Sequence, residues 1–343
     1  MAMEKTASPQ ARAWGAWGLA AAALGLGAVG ATGAQAATFK LGHVYEATHP
    51  IHVAAVDAAR RFSECTGGAH AIEVFPASQL GKETALNEQI RFGGVDIILT
   101  GQIFASGAYE PLAVGAAPYI FRDRDHALAY RTSDVFRDLM KGWSEATGQH
   151  MLGAAYFGAF QVGSKDKPVN GPDDMKGLKI RVPDSPFYKA FPEAVGANPT
   201  PIAFAEVYLA LQQNVVQATV NPVPVIYSMK FYEVLDHVAM TNHLVEYVLW
   251  VTGDHVWSKL SDAEKACKQE AVDAFGEQST AEVATQEDDL QKTMADKGWL
   301  TFTYPDPAPF QALAASVVED GIAKGRWTQE TVDRIRSIEA KTN

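Results

Sequence analysis

From Thr38 to Leu99 short β-type runs alternate with helical ones, and that order limits the fold more than any other feature of the chain. Thr38–His43 alternates like a strand. His52–Phe62 then places Val53, Val56, Ala59 and Phe62 at helical spacing and closes on Thr66-Gly67-Gly68. Ile72–Phe75 is a second strand stopped by Pro76, and a helix from about Lys82 to Phe92 ends at Gly93-Gly94. Val95–Leu99 is a third, wholly apolar strand. Strands separated by helices pair in parallel through crossovers, so the expectation is α/β, a largely parallel sheet covered by helices on both faces.

The rest of the chain extends that reading. His150–Phe160 predicts a long strand that crosses into a second domain, and Val215–Val220 another that ends at Asn221-Pro222. Leu244–Thr252 predicts a strand returning to the first domain. Ser261 opens a helical stretch to about Lys297, with Asp262 and Glu264 in its first turn, and a last helical region covers about Pro309–Lys341.

Before Thr38 the pattern is different. Lys5 and Arg12 precede an apolar run from Trp14 to Val29 and then Ala34-Gln35-Ala36, the layout of a cleavable export signal. The expectation is cleavage after Ala36 and a mature protein free in the periplasm. The formal net charge of −11 argues against a nucleic-acid or anionic-membrane partner. Export permits a disulfide, but Cys65 and Cys267 sit far apart in helix-like sequence, and nothing in the pattern brings them together. They are expected to stay unpaired.

One stretch carries chemistry. In Leu178-Lys179-Ile180-Arg181-Val182-Pro183 a strand ends at a proline, with Arg181 near its C-terminal end, where α/β sheets bind ligands. A guanidinium there offers a planar fork of donors that matches a carboxylate. The competing reading is an arginine salt-bridged to a neighbouring Asp. Gln102, in the loop after the third strand, is a candidate by location alone. No G-x-G-x-x-G or P-loop follows a strand, and no H-E-x-x-H, paired C-x-x-C or G-x-S-x-G occurs. No cofactor, no metal and no catalytic set is expected.

Several runs occur together in a fixed order: Phe75-Pro76-Ala77-Ser78-Gln79-Leu80-Gly81, Gly93-Gly94-Val95-Asp96, Pro118-Tyr119-Ile120-Phe121, Asp174–Pro183, Gly196–Pro201, Phe204–Tyr208 and Asn221-Pro222. In this order the mature chain resembles the solute-binding proteins of tripartite ATP-independent periplasmic (TRAP) transporters, the DctP type. The resemblance implies a two-domain periplasmic-binding-protein fold of type II, with a hinge cleft and a long helix spanning both domains. It implies residues 37–158 plus about 246–285 for the first domain, after a signal peptide at 1–36. Residues 159–245 plus about 286–343 would form the second. It also implies a small organic acid as ligand and a membrane permease of small and large subunits as partner. Monomer and homodimer both stay open.

Carried over position by position, the resemblance gives Arg181 as the clamp on the ligand carboxylate and Asn221 as a second polar contact. Phe204 would pack on the ligand, and Glu83 would face the pocket. Many members carry a second arginine on the strand entering the second domain; here Phe160-Gln161 stand in its place and become candidate lining. One arginine neutralises one carboxylate, so the expected ligand is a monocarboxylate with a hydroxyl, keto or apolar body. A periplasmic ligand sensor would use the same residues, whereas a secreted hydrolase or lyase would need a nucleophile or acid–base pair not visible here.

Overall fold

The computed structural model describes residues 37–339, so the proposed export signal at 1–36 lies outside the described residues. Nine strands make one sheet: β1 (Ala37–Gly42), β2 (His70–Phe75), β3 (Ile97–Gly101), β4 (His150–Ser164), β5 (Lys179–Val182), β6 (Asn198–Pro201), β7 (Ala218–Asn221), β8 (His237–Thr252) and β9 (Thr301–Thr303). Their spatial order is β2-β1-β3-β8-β4-β7-β5-β6, with β9 paired to β8 beside this path. The β1–β2, β1–β3, β5–β6 and β5–β7 pairs are parallel, as helical crossovers require. Two groups of short parallel strands are therefore joined through the long antiparallel pair β4 and β8, which runs through both.

Helices α1 (Pro50–Cys65) and α2 (Glu83–Phe92) form the first two crossovers, and α3 (Gln102–Ser106) follows β3 directly. Gly93 at φ 73° ends α2 in the left-handed conformation that glycine adopts without a Cβ penalty. The long helix Asp262–Asp296 starts from a capping box, Ser261 accepting from the Glu264 N–H while Glu264 accepts from the Ser261 N–H. The C-terminal helical region breaks into Pro307–Ala323 and Gln329–Arg336. Asn198–Pro201 forms the edge strand β6, where Pro199 and Pro201 cost no ladder bond on the open side.

The cysteine expectation is corrected here. Cys65 and Cys267 form a disulfide with their Cα atoms 5.7 Å apart. Cys65 closes α1, and α1 packs against the long helix so that its end meets that helix's first turns. His70, five residues past Cys65, bonds Glu264 at 2.9 Å in the same place. Helix packing supplied the proximity, and sequence separation concealed it.

Candidate functional site

A cleft of about 240 Å³ opens between the two strand groups. Arg181 reaches it from β5 and is 1% exposed. Its Nε and Nη2 donate to the Ile202 carbonyl at 3.0 and 2.9 Å, which fixes the plane of the guanidinium. Nη1 is buried with no partner. Among the described residues no carboxylate pairs with Arg181, so the salt-bridge reading does not hold. Burial lowers its pKa to about 10, with Tyr188 and Glu83 acting against that fall; it remains a cation at neutral pH. A buried cation with a free donor is costly alone and is relieved by an anion.

Phe204 stands 5.9 Å from the guanidinium carbon and faces it. Tyr45, in the segment after β1, meets the same ring edge-on at 6.3 Å. Asn221, the last residue of β7, is buried, and its Oδ1 accepts from the Thr219 hydroxyl at 3.3 Å. Phe160 lines the cleft from β4, and Glu83 lines it from the first turn of α2. Glu83 Oε1 accepts from the Gly101 N–H at 2.6 Å and the Thr100 hydroxyl at 3.0 Å. Burial raises its pKa to about 7, against those bonds and the charge of Arg181. At the mouth Lys82 pairs with Asp184 at 3.7 Å, both well exposed.

Arg181, Asn221, Phe204, Phe160 and Glu83 thus share one cleft, and two candidates do not. Gln161 faces the other side of the sheet, because neighbouring residues on a strand point to opposite faces and Phe160 already holds the cleft side. Its amide Nε2 donates to Asn242 Oδ1 at 2.7 Å and its Oε1 accepts from the Asn242 N–H at 3.0 Å. Gln102 is the first residue of α3, and its side chain turns into the core, donating to the Leu112 carbonyl. Position after a strand is not direction, and the helix start aims Gln102 away.

Tyr45, Phe157, Tyr188 and Glu246 are among the lining residues that went unnamed as candidates. Glu246 had a legible signal, a lone charge inside the apolar run Leu244–Trp250. It is 1% exposed, takes the Ile103 N–H at 3.0 Å on Oε1 and the Tyr188 hydroxyl on Oε2. Burial raises its pKa to about 8. Phe157 reaches the cleft because the register of β4 slips between Tyr156 and Gly158, putting residues three apart on one face. No periodicity predicts such a bulge.

Among the described residues no group of three or more His, Cys, Asp or Glu is arranged to hold a metal ion. Residues 41–324 match the family described as bacterial extracellular solute-binding protein, family 7 (DctP). This chain belongs to that family. As a family 7 protein it is 35% identical to the sialic acid-binding periplasmic protein of Vibrio cholerae, over 72% of this chain and 77% of that one. Its fold matches the TRAP periplasmic solute-binding protein of Roseobacter denitrificans with bound L-galactonate, at TM-score 0.80 and 29% identity, over 89% and 99% of the two chains. It also matches the one from Sulfurospirillum deleyianum with bound succinate, at TM-score 0.82 and 25% identity, over 88% and 99%. The two-domain α/β architecture and the role of TRAP solute binding follow from this membership.

Proposed function

We propose that this TRAP solute-binding protein captures a small monocarboxylate with a hydroxyl- or keto-bearing body, in the periplasm, and delivers it to a membrane permease of small and large subunits. Arg181 Nη1 carries the reading: a buried, unpartnered donor on a cation held rigid by Ile202. Asn221 supplies a second polar contact, and Phe204, Phe160 and Tyr45 supply apolar walls that exclude water. The two strand groups, with β4 and β8 between them, act as the lobes of a hinge, divided near residues 158 and 246. Contacts made only in the closed state hold it shut.

Relatives of similar fold carry galactonate, with one carboxylate, and succinate, with two. The choice therefore rests on this cleft's own charges. Its lining holds two cations, and Lys82 is committed to Asp184, which leaves Arg181 for one ligand carboxylate. A second carboxylate would face Glu83 and Glu246 without a counter-ion. A thermal-shift screen of organic acids tests the reading, since a ligand of the folded state raises the melting temperature by mass action. Dicarboxylates binding more tightly than every monoacid would overturn it.

A further inference from the structure

We infer that the cleft takes up a proton with its acid: Glu246 is protonated in the complex, and its proton frees the Tyr188 hydroxyl to donate to the ligand. The inference rests on the acid-binding reading of the same cleft and makes Glu246 the positioning residue that decides which acids fit.

Glu246 is a carboxylate whose hydrogen-bond donors are both neutral. Glu246 lies within β8, wholly buried, with Ile103 N–H on one oxygen and Tyr188 on the other. The groups facing it are few. From α2 comes Glu83, whose charge opposes that of Glu246. From the segment after β1 comes the Tyr45 hydroxyl, whereas Arg181 of β5 lines the same cleft and acts on Glu83. From β4 come only Phe157 and Phe160. On β8 itself His243 is buried, stacked on Phe191 at 4.0 Å and held neutral by burial. Lys82 and Asp184 satisfy each other at the mouth.

The cleft's one buried cation, Arg181, acts on Glu83, and Glu246 has only neutral donors and the opposing charge of Glu83 around it. Gly101 keeps those carboxylates close, its N–H on Glu83 and the place a Cβ would take lying against Glu246 Oε1. An arriving anion would leave three negative charges against one positive in a water-poor space. Each added negative charge favours the neutral form of the acids already there. Burial has moved Glu246 to about 8 and Glu83 to about 7, so a small push completes the protonation at neutral pH.

The proton, taken from solvent, has a place to go. An ionised Glu246 needs the Tyr188 O–H as donor. A protonated Glu246 donates through Oε2–H to the Tyr188 oxygen instead, and the tyrosine's own hydrogen turns into the cavity. Oε1 keeps the Ile103 N–H in both states. Protonation thus converts Tyr188 from a donor spent on the protein into a donor available to the ligand, suited to the second oxygen of a carboxylate or an adjacent keto or hydroxyl oxygen.

Isothermal titration of the purified chain with L-galactonate, D-gluconate, 2-oxoisovalerate and succinate tests this, in buffers of different ionisation enthalpy. At pH 8 the tightest monoacid should bind with uptake of about half to one proton, and Kd should rise towards tenfold per unit as pH goes from 8 to 9. In Glu246→Gln the amide donates to Tyr188 and accepts from Ile103 without titrating. Whatever its affinity at pH 7, its Kd should change less than about threefold over pH 8 to 9. Tyr188→Phe should bind more weakly by roughly tenfold, the loss of one donor to a charged acceptor. Proton-silent binding at pH 8 that still needs Arg181, or a Glu246→Gln pH slope equal to wild type, overturns the inference alone. No binding of any of these acids, or binding untouched by Arg181→Ala, overturns the acid-clamp reading as well.

Discussion

Glu83 and Glu246 hold Gly101 between them: Glu83 Oε1 takes its N–H at 2.6 Å, and Glu246 Oε1 sits 2.7 Å from where a Cβ would stand. The last residue of β3 is thus the floor on which both cleft carboxylates rest. A methyl group there would push directly on a buried oxygen that holds the Ile103 N–H. Gly101→Ala should destabilise the protein by roughly 1–3 kcal/mol, the usual range for overpacking, and weaken acid binding. Chemical denaturation beside calorimetry checks it; unchanged stability and affinity would show the floor to be pliable.

Arg181→Ala should abolish acid binding, and Arg181→Lys should keep little of it. A lysine ammonium carries all its donors on one atom and cannot reproduce the planar fork whose Nε and Nη2 hold the Ile202 carbonyl while Nη1 stays free. Affinity within about threefold of wild type for Arg181→Ala, roughly 0.7 kcal/mol, would remove Arg181 from the site.

Gln161→Ala should act on stability and spare affinity. The reciprocal amide bonds to Asn242 join β4 to β8 on the face away from the cleft, and because Asn242 is exposed its groups turn to water on truncation. The expected cost is about 0.5–1.5 kcal/mol in denaturant unfolding, with Kd within about threefold. A large loss of affinity at unchanged stability would mean that Gln161 touches ligand.

Cys267→Ser should lower stability by about 2–4 kcal/mol, because the crosslink to Cys65 closes a loop of most of the chain and restricts the unfolded state. Melting temperatures with and without reductant should differ for the wild type and coincide for the variant.

Lys268 is fully buried between the rings of Phe39 and Phe62, with no hydrogen bond to its Nζ. Burial lowers its pKa from an ordinary 10.5 to about 7. The unfolded chain binds that proton more tightly, so stability falls as pH drops from about 10.5 towards 7. Lys268→Met removes the penalty and should gain on the order of 3 kcal/mol at pH 7. Unfolding followed at pH 7 and pH 10 should show the advantage shrinking at the higher value; equal gains at both would place its origin elsewhere.

Much of the site was legible because strand ends are legible. Pro183 and Pro222 stop β5 and β7 where their chemistry requires, and those stops put Arg181 and Asn221 at the cleft. Glu246 carried a readable signal, a charge in an apolar strand, but no residue near it in sequence explained the charge. Its partner Tyr188 lies 58 positions away. Gln161 and Gln102 were misplaced for one reason: sequence gives a side chain's neighbourhood and leaves its direction to the backbone.

Alternation of strand and helix, the prolines and glycines that end them, and the lone arginine at a strand terminus are local matters, settled by φ/ψ limits and periodicity within a few residues. They determined the α/β class and the family pattern. Which of Phe160 and Gln161 faces the cleft, why Phe157 joins it, and how Cys65 meets Cys267 depended on a bulge in β4 and on helix packing. So did the gathering of Glu83, Tyr188 and Glu246 around one cation. Contacts between residues distant in the chain form only when the whole sheet closes, and only then do charges share a dielectric low enough to shift one another.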